Sequence, residues 1–171
     1  MATRGRVGIQ QKDGTIISSY IHWDNYLAGT GYKLVEYWTD AKKVLKAIKL
    51  GNASSWGQII GRKIDFDDRN NEMYDVQNVY YMRDRGEKDQ GPKTSKNEAE
   101  YLRDGFKSWE EYIYLMKETG EKDFLGRPQG TWFYAHYSDP TGFKPVEEVA
   151  IKEHIESLQR YLKDKKERKV A

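Results

Sequence analysis

Val7-Gly8-Ile9-Gln10-Gln11, then Lys12-Asp13-Gly14, then Thr15-Ile16-Ile17-Ser18-Ser19-Tyr20-Ile21-His22-Trp23 is the stretch on which the fold turns. Asp-Gly between two β-prone runs is a strong two-residue hairpin signal, because the glycine supplies the positive φ that the turn demands. The return run is rich in β-branched and aromatic residues, which suit a pleated, half-buried surface. A hairpin is therefore predicted, followed by a break at Asp24-Asn25.

Beyond that break, Leu34, Val35, Tyr37 and Trp38 recur at helical spacing, with a start near Thr30 because Gly29 and Gly31 weaken the first turn. A second helix is predicted over 40–50, capped by Thr39. Its apolar stripe is Ala41, Val44, Leu45 and Ile48, and Gly51 closes it. Residues 52–60 read as a short loop anchored by Trp56. Residues 65–75, acidic and asparagine-rich, read as an exposed loop. VQNVYYMR at 76–83 reads as a third strand, 86–96 as a polar loop and 97–106 as a short helix.

EEYIYLMK (110–117) and TWFYAHY (131–137) read as a pair of strands, although the segment between them is long for a hairpin loop. Pro145 opens a last helix, where its missing N–H costs nothing. Ile151, Ile155, Leu158 and Leu162 line one face of it, widened by Val149 and Tyr161. The sum is about five strands and about four helices: an α+β fold with a mainly antiparallel sheet, helices on one face and a C-terminal helix. Residues 1–144 form the domain. Residues 145–171 form a helix that packs on it or on a partner subunit.

Composition bounds the function. The chain has 171 residues, enough to bury a core without staples. It contains no cysteine, which excludes disulfides, thiolate metal sites and a cysteine nucleophile. Aromatic residues make up 13% and charged residues 33%, so the reading is an aromatic core under a charged surface. The 29 basic and 27 acidic residues nearly cancel, which argues against coating nucleic acid by bulk charge. Arg4 and Arg6 precede no apolar run, so no signal peptide is predicted. No apolar stretch approaches the roughly 20 residues that span a bilayer.

Four clusters are candidate sites. In His22-Trp23-Asp24 strand alternation puts His22 and Asp24 on one side, with Trp23 buried behind. That is the arrangement of an imidazole oriented by a carboxylate. The competing reading is an Asp24 helix cap with His22 bonded to the turn backbone. Gly29-Thr30-Gly31 before a helix could bring N–H groups to an anion, but it fits neither the dinucleotide nor the P-loop fingerprint, and a tight turn explains it as well.

Arg83 and Arg85, after Tyr80-Tyr81, combine guanidinium forks for phosphate with rings for stacking. Alternatively, Asp84 caps a turn and the arginines pair with surface acids. The run 132–137 carries Trp132, Tyr134 and His136 on one face and Phe133, Ala135 and Tyr137 on the other, more aromatic surface than a one-sided sheet needs. The ligand-binding candidates are thus His22, Asp24, Tyr26, Tyr81, Arg83, Arg85, Trp132, Tyr134 and His136. No catalytic set, cofactor or metal is predicted; His22 and His136 with carboxylates lack ligand spacing.

Several of these segments together resemble a known family. Met-Ala-Thr-Arg-Gly-Arg-Val-Gly-Ile at the start, YIHWDNY at 20–26, Gly29-Thr30-Gly31, Leu50-Gly51, Ser54-Ser55-Trp56-Gly57 and Arg83-Asp84-Arg85-Gly86 occur in this order. So arranged, they resemble small accessory proteins of tailed bacteriophages. The pattern of those proteins is a GTRS-like start, a strand ending in Cys-His-Trp-Asp-Gly-Tyr-Pro, a Gly-x-Gly into a leucine-rich helix, Ser-Ser-Leu-Gly and Arg-Asp-Arg-Gly. The likeness covers most of the first 135 residues and is tightest in the first sixty. Asn25 stands in place of the glycine, Leu27 of the proline and Trp56 of a leucine, and the helix from Pro145 lies outside the pattern.

The resemblance implies a phage origin and no particular activity. The expected function is a non-catalytic binder in the host cytoplasm, working against host defence by sequestering a small nucleotide-type signal or a host defence protein, as a homo-oligomer. The alternatives are a phosphate-substrate hydrolase using His22 and Asp24, and an interaction module dimerising through the last helix.

Overall fold

The computed structural model describes residues 1–170, Pro140 by its backbone alone. The hairpin forms, but over a three-residue Lys12-Asp13-Gly14 turn instead of the two-residue one expected: strands β1 (Gly5–Gln10) and β2 (Ile16–Ile21) pair antiparallel from Gly5↔Ile21 to Gln10↔Ile16, and Gln11 N donates to Thr15 O at 2.7 Å. Gly14 takes φ 86°, and Asp13 Oδ1 accepts from Thr15 N at 3.0 Å and Thr15 Oγ1 at 2.7 Å.

After the hairpin come a single π-helical turn (Leu27–Gly31), α1 (Tyr32–Tyr37) and α2 (Ala41–Lys49). Asp40, not Thr39, caps α2, accepting from Lys42 N and Lys43 N. The middle of the chain holds β3 (Ala53–Ser55), β4 (Val79–Tyr80), α3 (Tyr81–Arg85), β5 (Lys93–Ser95) and α4 (Glu98–Lys107). Long strands β6 (Tyr112–Lys122) and β7 (Pro128–His136) come next, then β8 (Asp139–Pro145) and α5 (Glu147–Val170).

The sheet is larger than expected, with eight strands, and it is mixed. Its order is β4-β3-β2-β1-β6-β7-β8, with β5 also pairing β2. β1 runs parallel to β6, and β2 meets β3 in parallel at Ile21↔Ala53; the remaining pairings are antiparallel. The expected strand over 76–83 shrinks to two residues because Tyr81 begins α3. The β6–β7 connection is short after all, since both strands run past the segments read from sequence. The last helix begins after Pro145, which closes β8.

Helices cover both faces of the sheet, not one. Val7, Ile9, Tyr114, Met116 and Trp132 meet Leu34, Trp38, Val44, Ala47 and Ile48 in the main core. The alternate residues Ile113 and Leu115 point the other way, onto Tyr101, Leu102 and Phe106 of α4. Tryptophans lock the main core: Trp38 Nε1 donates to Gly57 O at 2.8 Å, and Trp132 Nε1 to Trp38 O at 2.8 Å.

Beneath α4, Arg6 Nε lies 3.1 and 2.9 Å from the two Glu110 carboxylate oxygens, and Arg6 Nη2 lies 2.6 Å from Oε1. Burial opposes the Arg6 charge, but the bond and charge of Glu110 outweigh it and raise the Arg6 pKa. No helix among the described residues is long and apolar enough to cross a membrane.

Candidate functional site

Strand β2 ends at Ile21, and the three residues after it build the site. His22 N donates to Ala53 O at 3.1 Å and Trp23 N to Ser54 O at 3.0 Å, so both residues stay tied to β3. Asp24 then takes φ 61°. This left-handed residue ends the strand alternation, and Asp24 no longer shares a strand face with His22; Trp23 is 40% exposed, so the reading that buried it behind them fails.

Asp24 acts through its carbonyl, which accepts from Thr30 N at 2.8 Å, and its side chain does not cap the following turn. Gly29 allows this return of the chain: a Cβ there would lie 2.4 Å from Asp24 O. The Gly29-Thr30-Gly31 segment is thereby a buried π turn.

Two grooves meet at this joint and share Trp23, Ser54 and Arg69 as a common wall. The larger, about 490 Å³, is lined by Tyr20, His22, Phe66, Tyr81, Arg85 and Glu87 among others. The second, about 350 Å³, continues over Asp24, Lys33, Trp56, Tyr74, Asp75 and Gln77. Both volumes fall within the range of small-molecule sites.

The loop 65–75, expected to be merely exposed, folds back and buries Phe66 and Tyr74 against Ile64 and Val79, which presents Arg69 to both grooves. The Arg69 guanidinium stands 4.7 Å from the Tyr74 ring and 5.4 Å from Phe66. Arg69 makes no salt bridge among the described residues. Arg85 stands over Phe66 at 4.4 Å and Tyr81 at 4.8 Å, with one nitrogen 2.6 Å from Glu87.

Burial pushes the Tyr20 hydroxyl up to about 12, and that hydroxyl bonds the His22 Nδ1 at 2.7 Å. It donates to the ring in the tautomer that carries its proton on Nε2. Burial and then nearby Arg4 lower the His22 pKa, favouring the neutral ring. Among the described residues no hydrogen bond links His22 to Asp24. Burial lowers the Lys33 pKa against the pull of Asp24 and Asp75, and its ammonium donates to Trp56 O at 3.0 Å.

The structure brings His22, Asp24, Tyr81 and Arg85 of the sequence candidates to these grooves. Arg83 goes elsewhere: it donates to Ile60 O (3.0 Å), Asn78 O (2.7 Å) and the buried Asp84 (2.9 Å), all structural partners. Asp84 in turn accepts from Ile64 N (3.1 Å) and Tyr80 N (2.7 Å). Trp132 is 3% exposed and belongs to the core, because strand β7 turns that ring onto α1 and α2. Tyr26 is exposed and lines neither groove.

Tyr134 and His136 line a third depression of about 210 Å³ at the β7–β8 end of the sheet, with Tyr112 and Lys144. There His136 Nδ1 bonds Ser138 Oγ at 2.6 Å, and burial lowers its pKa. Tyr20, Trp23, Lys33, Ser54, Phe66 and Arg69 are among the groove residues that the sequence reading missed. Two aromatic residues flanking an arginine inside an otherwise polar loop were the available signal.

No group of three or more His, Asp or Glu side chains among the described residues is placed to hold a metal ion. No protein-family model, curated protein or solved structure matches the chain.

Proposed function

We propose that this chain is a non-catalytic phage accessory protein that sequesters a small nucleotide-type ligand in the paired grooves at the His22-Trp23-Asp24 joint. One observation carries the reading: two arginines, Arg69 and Arg85, stand over a floor of aromatic rings around an exposed tryptophan. Guanidinium forks suit phosphate oxygens, and the faces of Trp23, Phe66 and Tyr81 suit a planar base. The two adjoining volumes suit a ligand with two parts, a base and a phosphate-bearing sugar. His22 would act as a neutral hydrogen-bond donor through Nε2, with Tyr20 fixing the ring. Such a binder would act in the host cytoplasm, competing with a defence protein for its signal.

The hydrolase reading has less support. His22 is oriented by a tyrosine rather than a carboxylate, and Arg83 is spent on structure. The deciding experiment is mass spectrometry of small molecules released from the native protein, then calorimetry with linear and cyclic nucleotides. A retained nucleotide, with affinity lost in Arg69→Ala and Trp23→Ala, supports the proposal. No retained molecule and no heat with either class of nucleotide overturns it.

A further inference from the structure

Helix α5 is anchored only at its start. Val146 and Ala150 are buried in the main core, and the His154 ring stacks on Tyr32 at 3.7 Å. From Ile155 to Val170 every residue is exposed. A solvated helix of this length is marginal in water without a packed face. Yet Ile151, Ile155, Leu158 and Leu162 lie 37–55% exposed at spacings of four, three and four, the pattern of a coiled-coil seam. This stripe points roughly a quarter-turn away from the Ala150 side that meets the domain, so it is free to receive another helix.

The charges along α5 say which helix. Its first half carries Glu147, Glu148, Glu153 and Glu156, interrupted by Lys152; its last half carries Arg160, Lys163, Lys165, Lys166, Arg168 and Lys169, interrupted by Asp164 and Glu167. The helix is therefore complementary to itself when reversed. With the seam centred between Glu156 and Ser157, Ile151 faces Leu162, Ile155 faces Leu158, and Glu148 faces Lys165 of the other copy. Glu147 flanks Arg168 in the same register. A parallel arrangement would set Glu148 against Glu148 and Lys165 against Lys165, which costs stability.

We infer that the chain forms a two-fold symmetric dimer through an antiparallel pairing of α5 with a second copy of itself. Such a pairing is isologous and closes on two subunits. The dimer is independent of the proposed ligand, since the grooves lie at the β2–β3 end of the sheet and share no residue with α5.

The test is sedimentation velocity of the full chain across roughly 1–100 µM, the range in which a short seam associates. A concentration-dependent dimer is expected, and Ile155→Glu and Leu158→Glu should each weaken it at least about tenfold. Both residues are exposed, so the circular dichroism of the monomer should show a folded domain. Orientation is read by cysteine pairs in this cysteine-free chain: Ile151→Cys with Leu162→Cys should oxidise to a covalent dimer, and neither single variant should. A monomer throughout the range, or a dimer indifferent to Leu158→Glu, overturns the inference. Cross-linking by Ile151→Cys alone overturns the antiparallel orientation.

Discussion

Glu110→Ala should destabilise this protein strongly, and the reason is local. The Glu110 side chain is 1% exposed and that of Arg6 8%, and three short contacts join them. The remaining Arg6 fork reaches Ser18 Oγ at 3.2 Å, which cannot replace a carboxylate. Truncation leaves a largely buried guanidinium under α4 with one neutral partner. Stranding one member of a buried ion pair costs about 3–5 kcal/mol. For a domain of this size each kcal/mol moves the melting temperature by about 2–4 °C, so a fall of roughly 10 °C is expected.

The companion variant separates the charge from the packing. Arg6→Met with Glu110→Leu removes both charges and keeps the volume apolar, and it should recover most of the loss. Thermal and urea melts of the parent, Arg6→Met, Glu110→Leu and the double variant close the cycle, with Glu110→Ala measured beside them. The reasoning is refuted by a Glu110→Ala loss below about 1 kcal/mol, or by a double variant no better than the single.

The two arginines of the Arg83-Asp84-Arg85 stretch should part company. Arg83→Ala strips two backbone carbonyls and the buried Asp84 of their donor and should cost about 2–4 kcal/mol in urea melts. Arg85→Ala should change stability by under about 0.5 kcal/mol and show itself only in ligand calorimetry. Gly29→Ala should cost about 1–3 kcal/mol in the same melts, since its methyl meets a backbone oxygen that has nowhere to go. Thr30→Val should be neutral or stabilising, because the buried Thr30 hydroxyl has no partner among the described residues.

The folded His22 pKa is lowered, so its contribution to stability is full above the unfolded histidine value near 6.5 and is lost as pH falls from there through the lower folded value. His22→Gln should therefore soften the acid-side fall in melting temperature between about pH 7 and pH 5, and an unchanged fall would reject that assignment.

What the sequence makes legible is whatever a short window decides. Asp13-Gly14 announces its turn because the backbone conformation is set by two residues. Helix α2 declares itself because the period of Ala41, Val44 and Ile48 holds over about two turns. Strand β5 does not, since Lys93-Thr94-Ser95 has no strand character and is extended only because β2 offers an edge. The parallel pairing of β1 with β6 is equally silent, being a contact between segments a hundred residues apart.

The site divides the same way. Tyr81 and Arg85 were legible as an aromatic–arginine run, while Arg69 becomes part of the groove only through the burial of Phe66 and Tyr74. The error at Trp23 is instructive: alternation assumes an extended chain, and one left-handed residue, Asp24, removes the premise.

The place of β1 in the sheet also sets the order in which the protein can be made. It leaves the ribosome before the other described strands, and it sits in the interior between β2 and β6. Its hairpin can close within the first twenty-odd residues, but one edge of β1 stays open until the chain has been extended through β6. Arg6 must wait for Glu110 over the same interval. The nascent chain thus carries an unpaired strand edge and an unneutralised arginine until β6 has emerged, and folding of the sheet waits on that strand. High sequence separation of this kind makes folding slow and exposes the waiting edge to other chains. Expression yield should therefore respond more to chaperone supply and growth temperature than the final stability of the domain would suggest.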